Sequence, residues 1–148
     1  MIDTFSGEYE WLSNFYPSRI FVKGHGYENV EAAFQAQKCK TEEGKHKYFL
    51  AAPSEAKRMG RAEDLVDNWE DIKDNVMLEC LREKFQKPNL RSKLLATGNE
   101  PLIEGNYWHD NYWGNCTCKR CENIKGLNML GTLLEIVRDE LRKNPHNR

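Results

Sequence analysis

The second half of the chain is dominated by apolar residues at helical spacing. Side chains recur at steps of three and four between positions 69 and 85, and they are Trp69, Ile72, Val76, Met77, Cys80, Leu81 and Phe85. This spacing predicts a helix with one buried face, which Asp67 or Asn68 would cap. A second stripe, formed by Leu127, Leu130, Leu134, Val137 and Leu141, predicts a C-terminal helix that runs to Lys143 and ends at Asn144-Pro145.

Shorter elements fill the rest of the chain. The pattern predicts helices over 30–39, capped by Asn29; over 42–52, ended by Pro53; over 55–59, between a Ser54 cap and Gly60; and from Pro88 to a stop at Thr97-Gly98. Short strands are predicted over 19–23, closed by residues 24–26, and over 102–104. The expected fold is therefore a mainly helical α+β single domain, residues 1–148, with a small antiparallel sheet.

Composition and charge limit the classes of partner. The chain has 22 Lys and Arg against 23 Asp and Glu, so its formal net charge is -1. A chain without a basic excess has little general attraction for a polyphosphate backbone. No apolar run approaches the roughly 20 residues that span a bilayer, and Met1–Thr4 lacks the features of a signal peptide. These observations predict a cytoplasmic protein that contacts no membrane.

Familiar catalytic fingerprints are missing from the sequence. It contains no G-x-S-x-G motif, P-loop, H-E-x-x-H motif or dinucleotide fingerprint. Serine hydrolase, NTPase, zincin and Rossmann chemistry therefore have no direct support. Any chemistry must come from side chains that separate segments supply.

One candidate is a polar stripe on the helix predicted after Asn29. Glu31, Gln35 and Lys38 recur at i, i+4 and i+7, beside the aromatic ring of Phe34. A carboxylate in a first turn also favours its own helix through the macrodipole, without any further role. An acid, an amide and an ammonium beside an aromatic ring equally suit a polar ligand.

A second candidate is the basic segment that follows Ser54. Lys57 and Arg61 are i, i+4 neighbours near a predicted helix start, where backbone N–H groups are available. This arrangement suits a phosphate or pyrophosphate. The alternative is a basic surface turn that pairs with Glu63 and Asp64.

The aromatic loop, residues 107–114, is a third candidate. Two tryptophans, Trp108 and Trp113, bracket Asp110, and Gly114 follows without a side chain. Exposed rings in a loop can stack on a nucleobase. The same rings can equally serve as core packing.

Three of the five cysteines crowd into one short segment, as Cys116, Cys118 and Cys121. Structural zinc normally takes four ligands, and here His109, Asp110 or another chain would have to supply the fourth. Free thiols are the alternative, and our expectation is that the protein holds no metal and no cofactor. A metal-held interaction loop remains an open third interpretation.

Seven segments in order resemble the NADAR superfamily, also called YbiA-like N-glycosidases, and together they cover nearly the whole chain. The matching segments are Trp11–Pro17, Val30–Lys38, Ala56–Arg61, Trp69–Lys73, Leu94–Gly98, Asp110–Gly114 and Gly126–Gly131, with Arg138 beyond them. Two departures are visible. Ala32 stands where many relatives have histidine, and the cysteine segment lengthens the link between Gly114 and Gly126.

The resemblance implies an enzyme, a hydrolase that acts on N-glycosyl bonds between ribose and a base. The implied substrates are ADP-ribose on a nucleobase, guanine in particular, either free or within nucleic acid, or phosphoribosylated aminopyrimidine intermediates of riboflavin synthesis. The resemblance implies that Glu31, Asp110 and Trp113 are catalytic. The residues it implies for substrate binding are Asn14, Phe15, Gln35, Lys38, Lys57, Arg61, Gly114 and Asn128. The competing interpretation is a module that binds ADP-ribose or NAD without turnover.

Overall fold

The computed structural model describes residues 1–144, and these form two compact units. One unit is Asn14–Lys84, and the other joins Met1–Ser13 to the chain from Phe85 onward. The predicted helix end at Pro145 and the last residues of the predicted 1–148 domain lie outside the described range.

A two-stranded antiparallel sheet begins the Asn14–Lys84 unit. Strands β1 (Ile20–Val22) and β2 (His25–Tyr27) pair with Ile20 opposite Tyr27. The prediction of a strand at 19–23 is confirmed, but residues 24–26 do not form the whole turn. The turn lies at Lys23 and Gly24, whose φ angles are 52° and 85°, so His25 already belongs to the second strand.

Helix α1 (Val30–Ala36) follows the sheet, and all seven of its residues are buried. Its predicted cap is confirmed, because the Asn29 side chain accepts a hydrogen bond from Ala32 N at 2.7 Å. The helix ends three residues before the predicted end at Cys39. Its last turns tighten into i, i+3 hydrogen bonds, such as that from Cys39 N to Ala36 O, and these no longer have α-helical geometry.

The next two predicted helices differ from the structure. Residues Glu43–Tyr48 form a 3₁₀ helix rather than an α-helix over 42–52. Helix α2 (Pro53–Arg61) begins at a proline and has Ala52 as its cap, so the predicted Ser54 cap is wrong. Proline suits a first helical position because its φ is already helical and that position needs no N–H partner. Gly60 lies inside α2 and does not stop it.

The longer helices agree with the periodicity. Helix α3 (Trp69–Lys84) completes the first unit, and α4 (Pro88–Ala96) and α5 (Met129–Lys143) pack together in the second. Leu127 lies outside α5 and is 61% exposed, because the chain turns at Asn128 (φ 50°) before the helix begins. Leucines from both helices form much of this unit's core, namely Leu90, Leu94, Leu130, Leu133, Leu134 and Leu141.

The segment between α4 and α5 has little regular structure. The predicted strand at 102–104 is reduced to a single parallel bridge between Leu102 and Ile2. Beyond it, β3 (Gly105–Asn106) and β4 (Asn115–Cys116) pair in parallel, which the sequence analysis did not predict. The mainly helical fold with a small antiparallel sheet is confirmed. Within the described residues, no helix is long and apolar enough to cross a bilayer.

Candidate active site

The first turn of α1 carries a buried carboxylate whose orientation is fixed by a neighbouring amide. Glu31 is 8% exposed and Gln35, one turn later, is 6% exposed. The Gln35 Nε2 donates to Glu31 Oε2 at 2.6 Å. These two residues of the predicted polar stripe therefore not only share a helix face but are in direct contact. A carboxylate held in this way near a helix N-terminus is ready to face a developing positive charge.

The close approach of α2 to α1 positions Gln35. A Cβ atom on Gly60 would lie 1.9 Å from Gln35 Oε1, so a larger residue at this place would displace the amide. The Oε1 atom is buried and receives no hydrogen bond from the described residues. Gly60 was predicted only as a helix stop, because spacing along one helix does not reveal which helix faces it.

Lys38 extends the same group beyond the end of α1. Its Nζ donates to Gly60 O at 3.4 Å and lies 5.9 Å from the centroid of the Trp69 ring. Burial lowers the pKa of Lys38, and the negative charge of Glu31 acts in the opposite direction. The Lys38 ammonium is therefore partly desolvated, and the Glu31 carboxylate favours its charged form.

Asn14 connects the start of this unit to the carboxylate. Its carbonyl oxygen accepts a hydrogen bond from Glu31 N at 3.2 Å, and its Nδ2 contacts Met77 Sδ at 3.6 Å. The side-chain oxygen Oδ1 is buried and has no hydrogen-bond partner among the described residues. A buried amide oxygen without a donor is costly, so this atom is a natural acceptor for a ligand hydroxyl or a water.

Phe15 and the two basic residues of α2 complete the group. Phe15 is 42% exposed, and the Lys57 Nζ lies 5.9 Å from the centroid of its ring. Arg61 is exposed, one helical turn after Lys57. Both basic side chains remain candidates for holding phosphate, although the Ser54 cap that the sequence analysis joined to them is not present.

Asp110, in the other compact unit, organises the turn of the aromatic loop. Its Oδ1 accepts hydrogen bonds from Tyr112 N at 3.1 Å and Trp113 N at 2.9 Å. The Asn106 side chain in turn donates to Asp110 O at 2.8 Å. Asp110 therefore has a structural role that the sequence analysis did not predict, beside the catalytic role that the resemblance implies.

Trp113 and Gly114 follow this turn. Trp113 is partly buried, and its ring packs edge-to-face on Tyr112 with centroids 4.9 Å apart. A Cβ on Gly114 would lie 2.2 Å from Glu104 O, so close passage of two backbone segments requires glycine here. This packing accounts for Gly114 without any ligand.

Asn128 uses both ends of its side-chain amide to hold the backbone. Its Oδ1 accepts from Glu104 N and its Nδ2 donates to Leu102 O, each at 2.9 Å. These bonds join the start of α5 to the segment that precedes β3. The structure therefore favours a structural role for Asn128 over the substrate contact that the resemblance implies.

The residues that could hold a metal lie in the same segment as Asp110. The Nδ1 of His109 and the sulfurs of Cys116, Cys118 and Cys121 all lie within 4.8 Å of one another. Burial acts to raise the pKa of the Cys116 thiol, but hydrogen bonds from Cys118 and His109 outweigh it and bring the pKa to about 6. Of the three fourth partners predicted for these cysteines, which were His109, Asp110 or another chain, His109 is the one that lies with the thiols.

The predicted site residues thus form two groups, one in each unit. The first group is Asn14, Phe15, Glu31, Gln35, Lys38, Lys57 and Arg61, and the second is Asp110, Trp113, Gly114 and Asn128. In the first group, Gln35 is hydrogen-bonded to the Glu31 carboxylate and Asn14 to the Glu31 backbone. In the second group the polar atoms mainly hold a loop in shape.

Comparison with known proteins places the chain in a family. The model of the NADAR domain matches residues 3–142. The chain belongs to the NADAR domain family. It is 39% identical over 140 residues to the N-glycosidase YbiA of Shigella flexneri serotype 5b, covering 92% of this chain and 84% of that protein. It is also 35% identical to a riboflavin biosynthesis protein of Vibrio vulnificus, over 93% of this chain but 37% of that longer protein.

A solved structure supports the same assignment. The NMR structure of the Escherichia coli protein YbiA is similar to this chain with a TM-score of 0.82 at 36% identity. The match covers 100% of this chain and 91% of that one. The predicted membership of the NADAR family is confirmed, and so, at the level of this family, is the prediction of an enzyme that hydrolyses N-glycosyl bonds.

Proposed function

We propose that this NADAR-family chain hydrolyses the N-glycosidic bond between a phosphate-bearing ribose and a nitrogen base, with Glu31 at the reacting centre. The observation that carries the proposal is the buried Glu31 carboxylate, held by Gln35 at 2.6 Å. The unpartnered buried oxygen of Asn14, whose own carbonyl accepts from Glu31 N, offers an acceptor for a ribose hydroxyl beside it.

The chemistry of the bond explains why a carboxylate is needed. As the bond from ribose C1 to the base nitrogen breaks, positive charge grows on the sugar in an oxocarbenium-like transition state. A fixed carboxylate stabilises that charge and can take a proton from the water that attacks C1. The base leaves with the bonding electrons and a proton, and the sugar gains the water's oxygen.

Two basic side chains of α2 support the phosphate part of the proposal. Lys57 and Arg61 are one turn apart on a helix that packs against α1. In this proposal they hold the substrate phosphate, and this remote binding energy orients the reacting bond. Phe15, whose ring lies beside Lys57, would cover an apolar face of the ligand.

The substrate is proposed as one of two ribosylated bases. A phosphoribosylated aminopyrimidine is the first, because one relative carries the name of a riboflavin biosynthesis protein. ADP-ribose attached to guanine is the second, and it follows from the family resemblance of the sequence. The catalytic roles of Asp110 and Trp113 and the cytoplasmic location stay predictions.

The test is release of the product that has lost the ribosyl group, measured by chromatography with mass spectrometry: free aminopyrimidine from one substrate and unmodified guanosine from the other. The purified chain is incubated separately with the phosphoribosylated aminopyrimidine and with ADP-ribosylated guanosine. We expect release from at least one of them, and Glu31→Gln should lower kcat by at least about 10²-fold, because it removes the ionised acid at the reacting centre. Calorimetry with ADP-ribose accompanies the assay. Binding without release from either substrate would establish the non-catalytic module instead.

A matched variant controls for charge and helix effects. Glu55 lies in the first turn of α2, as Glu31 does in α1, but it is exposed. Glu55→Gln should therefore retain the wild-type kcat. If Glu31→Gln were within a few-fold of Glu55→Gln, the role would belong to another residue, with Asp110 the next to test.

A further inference from the structure

Four metal-binding side chains converge in the segment between β3 and α5. His109 follows β3 by three residues, and Cys116 belongs to β4. Cys118 precedes the 3₁₀ turn Lys119–Cys121, and Cys121 is the last residue of that turn. Proximity in sequence does not force them together, since His109 and Cys121 are twelve positions apart along the chain. Folding nevertheless brings their ligand atoms within 4.8 Å of one another.

The distances have the dimensions of a tetrahedron around one ion. The Nδ1 of His109 lies 3.7 Å from Cys116 Sγ, 3.4 Å from Cys118 Sγ and 3.4 Å from Cys121 Sγ. For Zn–S bonds of about 2.3 Å and Zn–N bonds of about 2.0–2.1 Å, tetrahedral geometry places nitrogen and sulfur about 3.6 Å apart. Each of the three distances is close to this value.

Hydrogen bonding alone does not account for the arrangement. A ring nitrogen has one lone pair or one N–H, so Nδ1 satisfies a single partner along one direction. Three thiols around the same nitrogen compete for that direction. All three cysteines are free, so a disulfide does not explain their approach either.

We propose that His109, Cys116, Cys118 and Cys121 bind one Zn²⁺ ion. Three thiolates and one imidazole are a ligand set of structural zinc sites, and four protein ligands leave no position for substrate. Binding releases the protons of the thiols, because thiolates are the ligands. This inference concerns metal binding and does not rest on the proposed function. It replaces our sequence-based expectation that the chain holds no metal.

The surroundings of the ligands fit such an ion. The N–H of Cys116 donates to Asn111 Oδ1 at 2.8 Å, so a neighbouring side chain holds the backbone that carries this ligand. Zinc with three thiolates and a neutral imidazole carries one net negative charge. Lys119 and Arg120 stand between two of the ligands in sequence and can offset that charge.

The proposed ion would cross-link residues 109–121, where the regular structure amounts to short pieces. Asp110 directly follows the His109 ligand, and Trp113 lies between the ligands His109 and Cys116. The ion would therefore hold the two ends of the segment from His109 to Cys116. Within that segment, Asp110 accepts hydrogen bonds from Tyr112 N and Trp113 N. Its role is to position this loop, not to act on substrate.

Elemental analysis of the purified full chain is the direct test. We expect about one zinc per chain in the wild type, and loss of most of it in Cys118→Ser, because a structural site needs all four ligands. Cys39→Ser is the matched control, since Cys39 is a buried thiol of the Asn14–Lys84 unit, and it should retain the zinc. Wild type without stoichiometric zinc, or equal zinc in Cys118→Ser, would overturn the proposal.

A second measurement does not depend on the folding of a variant. The wild-type chain is stripped with a chelator and titrated with Co²⁺, whose absorption reports tetrahedral thiolate ligation. We expect a thiolate-to-metal charge-transfer band that saturates at one equivalent and disappears when Zn²⁺ is added. Absence of that band at saturating Co²⁺ would equally overturn the proposal.

Discussion

Helix α1 and the segment between β3 and α5 hold their functional side chains by different means. The seven residues of α1 are all buried, and a regular hydrogen-bond ladder with an asparagine cap fixes their directions. Residues 107–114 instead form an irregular loop, whose shape depends on the side chains of Asn106 and Asp110 that bond to backbone atoms.

The difference predicts which measurement each region affects. In α1 and its neighbours, apolar packing supplies most of the stability, so large-to-small changes should lower the free energy of unfolding. In the loop, the aromatic rings are exposed or only partly buried, so changing one of them removes little apolar packing. Such a change should therefore alter catalysis more than stability. Four substitutions test this difference between the two regions.

The largest expected effect is on stability, from Trp69→Ala. Trp69 is 5% exposed, starts α3 and packs against Phe34 with ring centroids 5.2 Å apart. Removing the indole leaves a cavity, and we expect the free energy of unfolding to fall by about 3–5 kcal/mol. Urea denaturation followed by circular dichroism measures it. A loss below that of Trp69→Phe would contradict the assignment of this ring to the core.

The next effect is on catalysis, from Trp113→Ala. A ring that stacks on a base is worth about 1–3 kcal/mol, so kcat/KM should fall about 5- to 160-fold. The same variant should lose less stability than Trp69→Ala, because Trp113 is only partly buried. Steady-state kinetics and urea denaturation are measured on the same preparation. Trp113→Phe, which keeps a ring, is the control and should recover much of the activity.

The smallest effects compare two glycines. A Cβ on Gly131 of α5 would lie 2.0 Å from the backbone oxygen of Leu102, whereas on Gly60 it meets the side chain of Gln35. Backbone yields less readily than the end of a side chain, so Gly131→Ala should cost about 1–3 kcal/mol of unfolding free energy and Gly60→Ala less.

The effects of the two glycine substitutions on activity should have the opposite order, with the larger effect from Gly60→Ala. Gly60→Ala displaces the amide that orients Glu31, so it should lower kcat while most of the stability remains. Thermal denaturation and kcat are measured for both variants. If Gly60→Ala retained full kcat, the hydrogen bond from Gln35 to Glu31 would have no part in catalysis.

Local sequence patterns were sufficient to predict features that depend only on neighbouring residues of the same helix. The stripe from Trp69 to Phe85 predicted α3, and Asn29 predicted the start of α1, because side-chain period and capping depend on near neighbours along the chain. The contact of Glu31 with Gln35 follows from the same period. The amino-acid sequence alone therefore determined the helical character of the chain and the candidate acid.

Tertiary structure decided whatever depends on partners that are distant in sequence. Gly60 permits α2 to approach Gln35, Asn128 is occupied by backbone on both sides, and His109 joins the three thiols. None of these contacts has a period, since each joins two segments whose approach is set by packing and by the need to satisfy buried polar atoms. Periodicity shows which face of a helix is buried, but packing selects what that face meets.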